Sequence, residues 1–124
     1  MSLLVLKAYL RLIYFDCYLL RGDFSALQRK VRQSTVNRNV RSGVRLEKIC
    51  SAVDMACIWY WKQVLCLQRS AATVCLLRTY GFPADLIIGT QNVPFKAHAW
   101  VEIDDLVVND KPYMHEIYAE LHRC

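Results

Sequence analysis

At Gly81-Phe82-Pro83 this 124-residue chain changes its hydrophobic period. Upstream, "CLQRSAATVCLLRTY" sets Leu67, Ala71, Val74, Cys75 and Leu77 on one helical stripe over residues 66–80. Gly81 supplies a left-handed cap and Pro83 blocks any continuation. From Ala84 the runs turn short and β-rich: "ADLIIGT", "PFKAHAWVEI" and "LVVND", the last two joined at Asp104-Asp105 as a hairpin. Helices followed by a small antiparallel sheet predict an α+β fold.

Two more helices precede that switch. Residues 3–20 place Leu3, Leu6, Leu10, Ile13 and Cys17 at helical spacing. Residues 45–62 do the same with Ile49, Val53, Ala56 and Tyr60, and 63–65 form a break. The tail "PYMHEIYAELHRC" carries Ile117 and Leu121 four apart and reads as a last helix. With 55% hydrophobic residues and no repeat or low-complexity linker, one domain is expected over 1–124. Residues 1–45 form a helix and a polar connector with room for short helical pieces, and 46–124 form the core.

Charge narrows the partners. The formal net charge is +5, and Arg21–Lys48 holds eight Lys/Arg against Asp23 and Glu47. Such a block is a solvated face or a dock for an acidic peptide or protein. Nucleic acid is not expected, because only valines interleave with the arginines and no aromatic does. Lys7, Arg11 and Asp16 interrupt the first apolar stretch, so no integral membrane segment is expected. No export signal is evident. The expected location is the cytoplasm, with its six cysteines reduced. None of them forms a C-x-x-C pair, and Cys50, Cys57 and Cys75 sit in apolar helical patterns where thiols pack as small hydrophobes. His115 and His122 lack the spacing and third ligand of a metal site, so no metal or other cofactor is expected.

Cys66 differs from these by position. It opens its helix, where free N–H groups and the macrodipole favour a thiolate and could hold an oxyanion. His98 on one strand and Asp110 after the next would supply a base and a carboxylate that orients it. The commoner roles for such residues are a packing thiol and a hydrogen-bonded surface histidine, and types and spacing leave both readings open. Ser70 shares the helix face of Cys66 and reads as a small packing residue.

The ordered set "CLQRSAATVCLLRTYGFPADLIIGT" and "PFKAHAWVEIDDLVVND" resembles the transglutaminase-like cysteine peptidases of lasso-peptide biosynthesis, over roughly residues 60–118. The resemblance implies a papain/transglutaminase-like fold with Cys66 as nucleophile, His98 as general base and then acid, and Asp110 as its orienter. It implies a precursor peptide as substrate, cut to free the core's amino terminus for ring closure by a separate ATP-dependent lasso cyclase. Leader binding in that family falls to a winged-helix recognition module. The match begins near residue 60, so a free-standing recognition protein is the implied partner, met by the basic block or the first helix. Two rivals share the fold: an acyltransferase that passes the thioester to an amine, and a non-catalytic peptide-binding subunit.

Hairpin arithmetic questions one role. If Asp104-Asp105 is a strict two-residue loop, paired positions sum to 209, and His98 shares its face with Trp100, Val107 and Asn109. Asp110 would then face the other way, so either the hairpin is irregular or Asn109 orients His98. Asp105 stands where this family often has glycine, which leaves the turn type open. Trp100 is core or the wall of a substrate-binding cleft, and Phe95 is equally ambiguous. Ala97 and Ala99 permit close approach of the Cys66 helix. Gln63 and Gln68 are oxyanion-hole candidates by residue type alone.

Overall fold

The computed structural model describes residues 3–37, 43–92 and 94–124. Four helices come first: α1 (Leu3–Leu20), α2 (Phe24–Gln33), α3 (Leu46–Trp59) and α4 (Cys66–Thr79). Strands β1 (Ala84–Asn92), β2 (Phe95–Ile103) and β3 (Leu106–Val107) follow, then the short helix α5 (Met114–Ile117) and β4 (Ala119–Arg123). The antiparallel sheet runs β3-β2-β1-β4, so the fold is α+β as expected.

Helix α4 is central because its residues Gln68 and Ser70 to Arg78 are buried. Its two ends are made differently. At the C-terminus Gly81 adopts φ 91°, Phe82 N–H bonds Leu77 O at 3.0 Å and Gly81 N–H bonds Arg78 O at 3.1 Å, a Schellman cap. At the N-terminus the cap position is Leu65, whose side chain offers no acceptor. The amides of the first turn are therefore left without a capping side chain.

One face of the sheet, carrying Leu86, Ala99 and Val101, packs into the helical core; the other carries Ile87 and Trp100 and is covered by Met114 and Tyr118. Buried Arg78 ties the layers, donating to Ala84 O at 2.9 Å, to Ser34 O at 2.9 Å and to Val31 O. A guanidinium can satisfy several carbonyls at once, which is why a charge is tolerated there.

Two expectations change and a third is filled in. The stripe Leu3, Leu6, Leu10, Ile13 and Cys17 is the outer face of α1, with Leu3 66% exposed, while Leu4, Ala8, Leu12 and Phe15 are buried. Helix α1 is apolar nearly all round. The side that wins brings Lys7 to the Tyr80 hydroxyl at 3.1 Å and buries Asp16 against Tyr60 and Lys62. The tail is not one helix, because residues after Tyr118 form β4. Leu86 and Cys124 exchange both backbone hydrogen bonds, at 2.6 and 2.9 Å, and this demand of the β1 edge overrides the local helical spacing. The connector contains a full helix, α2, capped by Asp23 accepting from Ala26 N–H at 3.0 Å. Residues 38–42 of the basic block lie outside the described residues.

Candidate active site

The hairpin between β2 and β3 is strict: Ile103 pairs with Leu106 and Glu102 with Val107. Both turn residues have positive φ, 50° at Asp104 and 65° at Asp105, the geometry of a type I′ turn made without glycine. The ladder continues through Val108 N–H to Val101 O at 2.9 Å and then stops. The chain bends over 108–110, and this bend resolves the face conflict. Asp110 leaves the ladder and comes round to His98, with its Oδ2 2.6 Å from Nε2. Asn109 does other work. Its Oδ1 accepts Val101 N–H at 2.7 Å, and its Nδ2 donates to Ser70 Oγ at 3.2 Å.

Ser70 in turn donates to Ala99 O at 3.1 Å, and Arg69 donates to Asn109 O at 3.0 Å. Where β3 has ended, two side chains thus take over hydrogen bonds that a neighbouring strand would have made. The same bonds fasten the first turns of α4 to the edge of β2. Cys66 lies one helical turn before Ser70, about 6 Å along the axis, and is half-buried against the core. Among the described residues no hydrogen bond joins its thiol to His98, and the connection runs through Ser70, Ala99 and Asn109. His98 itself projects on the sheet face of Trp100 and Tyr118, while the Cys66 helix packs on the Ala99 and Val101 face, so the two lie on either side of the open edge of β2.

The imidazole is tightly surrounded. Tyr118 stacks on it with centroids 5.4 Å apart and planes at 25°, and Trp100 lies 6.2 Å away at 26°. Opposite a carboxylate Nε2 is the donor, and in that tautomer of the imidazole Nδ1 is the acceptor for a second partner. Trp100 is completely buried, so it has no surface for a substrate and the substrate-wall reading is replaced by a packing role. Its Nε1–H donates to Glu102 Oε2 at 2.7 Å. Gly89 pairs with His98 across the sheet, and a Cβ there would come within 2.6 Å of the Trp100 ring and 2.9 Å of Tyr118 Cβ. The absence of a side chain at Gly89 is what lets these rings lie over the strand.

Residue-type reasoning missed Glu102. It is wholly buried and takes hydrogen bonds from Trp100, from His115 Nε2 at 2.5 Å and from Arg123 Nη2 at 3.0 Å. Burial pushes its carboxyl upward, but the three donors outweigh this and hold it below the usual carboxylate range. The signal available beforehand was an acid set between Val101 and Ile103 near the end of an apolar strand. His115 is therefore spent on Glu102, and no group of metal-ligating residues occurs among the described residues.

Elsewhere, burial drives thiols toward the protonated form: Cys50 is pushed up to about 11, and Cys57, Cys75 and Cys124 are also raised. Gln68 donates its amide to Leu12 O at 2.8 Å, so that donor is not free for an oxyanion. Gln63 is exposed and, with Leu65, Lys62 and Leu20, lines an open cavity of about 270 Å³ beside the start of α4. No helix among the described residues is long and apolar enough to cross a membrane.

The family model described as "Transglutaminase-like superfamily" matches residues 9–123. The microcin J25-processing protein McjB of Escherichia coli is 39% identical over 51 residues, a match covering 41% of this chain and 24% of McjB. No solved structure matches the chain. A match across almost the whole length, on a fold that sets a cysteine-headed helix against a histidine-bearing strand, places this chain in the transglutaminase-like superfamily.

Proposed function

We propose that this chain is a cysteine peptidase that cuts the leader from a lasso-peptide precursor. The observation that carries the reading is the 2.6 Å pairing of His98 Nε2 with Asp110, at the strand edge to which the Cys66 helix is fastened. The likeness to a microcin J25-processing protein supports the substrate class.

In this reading His98 Nδ1 accepts the Cys66 proton, and Asp110 stabilises the imidazolium that results. The thiolate attacks the scissile carbonyl, and the uncapped first-turn amides of α4 face the developing oxyanion. His98 then returns its proton to the leaving amine, which is the new amino terminus of the core. Water, deprotonated by the same imidazole, resolves the thioester and releases the leader as a carboxylate. Trp100 and Tyr118 keep water from the His98–Asp110 bond. The partners of this reaction are the precursor peptide, a separate leader-recognition protein and a cyclase that uses the freed amine.

Mass spectrometry of the precursor incubated with the chain and its recognition protein tests the proposal. The expected products are a free core and a leader ending in a carboxylate. Adding hydroxylamine should divert part of the leader to a hydroxamate, the mark of a thioester. Products that carry only amine adducts and no free carboxylate would replace the peptidase by an acyltransferase.

A further inference from the structure

The ladder fixes which backbone groups of β2 point outward at its β3 edge. Val101 turns its C=O to Val108 and its N–H to Asn109, and an antiparallel ladder alternates, so Ala99 and Ala97 present theirs on the same side. Leu86 bonding to Cys124 on the opposite side of β1 agrees with this register. Ala99 O is taken by Ser70. Beyond it β3 is absent, and among the described residues no partner meets the N–H and C=O of Ala97. Ala97 is exposed. Phe95, two residues along and on the same face, is 73% exposed, which gives an apolar surface for a neighbouring side chain.

We infer that the substrate's main chain adds as a short extended strand to the open edge of β2 at Ala97. This rests on the peptidase reading for the identity of the peptide. An edge with unpaired groups is a template for strand addition. This one is continuous with the candidate site: its next residues are His98 and Ala99, and the side chain closing it off is Ser70, one turn from Cys66. A peptide seated there is delivered to the start of α4 by backbone hydrogen bonds, without a requirement for particular side chains. The small side chain of Ala97 leaves the helix-side approach unobstructed.

The probe is a short synthetic peptide spanning the leader–core junction of a lasso-peptide precursor that the chain cuts, with single N-methyl groups walked along it. Strand addition predicts alternation: methylation raises KM about five- to tenfold at every second residue and less than about twofold between. Binding of the unmethylated peptide to the Cys66→Ala chain should slow hydrogen exchange of the Ala97 amide. Ala97→Pro, which removes only an outward N–H, should raise KM about tenfold with kcat little changed. A flat methylation profile, or an Ala97 amide that exchanges no more slowly with peptide, overturns the inference. So does an amide already protected without peptide in a self-associated sample. If the alternation appears in binding but the wild-type chain never cuts, the strand-addition site stands and the peptidase reading falls.

Discussion

Asn109 occupies the place of a strand residue opposite Val101, its Oδ1 2.7 Å from that buried amide and its Nδ2 on Ser70. One side chain therefore closes the sheet edge and fastens the Cys66 helix to it. Asn109→Ala should strand the Val101 N–H and cost about 1–3 kcal/mol, read as a drop of about 4 °C in Tm per kcal/mol. Ser70→Ala removes the bond to Ala99 O and should cost about 1 kcal/mol. An Asn109→Ala chain as stable as the parent would show that water or a neighbouring group takes over the bond.

Gly89 and Gly43 make opposite predictions for the same substitution. At Gly89 a methyl would press on the Trp100 ring at 2.6 Å and on Tyr118 Cβ at 2.9 Å. Gly89→Ala should destabilise by about 1–3 kcal/mol and disturb the stacking on His98, lowering activity further. At Gly43 nothing lies within 4 Å, so Gly43→Ala should be close to neutral. Thermal melts of the two variants decide it, and equal Tm values would refute the close packing over β1.

The turn at Asp104-Asp105 holds two non-glycine residues at positive φ. Asp105→Gly relieves that cost and should stabilise the hairpin by about 0.5–1 kcal/mol. Chemical denaturation should show a higher midpoint with an unchanged slope. A loss of stability would mean that the Asp105 carboxylate, 3.7 Å from Arg123 Nη1, contributes more than the strain it imposes.

Glu102 and Asp16 both have carboxyl groups held below their usual range in the fold. Burial raises both, but Glu102's three donors, and the hydrogen bonds of Lys62 and Tyr60 to Asp16, prevail. A depressed folded-state value stabilises above the unfolded value and is lost as pH falls through the folded one. Stability should therefore hold near neutrality and decline below about pH 4.5. Glu102→Gln should flatten that acid limb while costing about 3 kcal/mol at neutral pH, since it leaves Arg123 with a poorer partner. An acid limb unchanged in this variant would assign the decline to other groups.

Much of this was legible in local chemistry. The period switch at Gly81-Phe82-Pro83 and the start of α4 at Cys66 are visible because caps and breakers act over a few residues. What escaped depends on distant partners. The face of α1 could not be chosen, since apolar residues ring it and the choice falls to Tyr60, Lys62 and Tyr80. Strand β4 answers an edge of β1 that no local pattern announces. Asn109 and Asp110 could not be assigned by parity, because parity holds only while the ladder does and the ladder ends at Val108. Arg78 and Glu102 went unassigned, because their partners are carbonyls and side chains far along the chain.

The central claim is that Cys66, His98 and Asp110 act as one unit on the precursor. Initial cleavage rates of Cys66→Ala, His98→Ala and Asp110→Asn, measured with the recognition protein present, test it directly. The expected losses are at least about 10³-fold for the first two and about 10²- to 10⁴-fold for the third, with combined variants no worse than Cys66→Ala alone. A Cys66→Ala chain that still shortens the precursor at the parent rate would contradict the account.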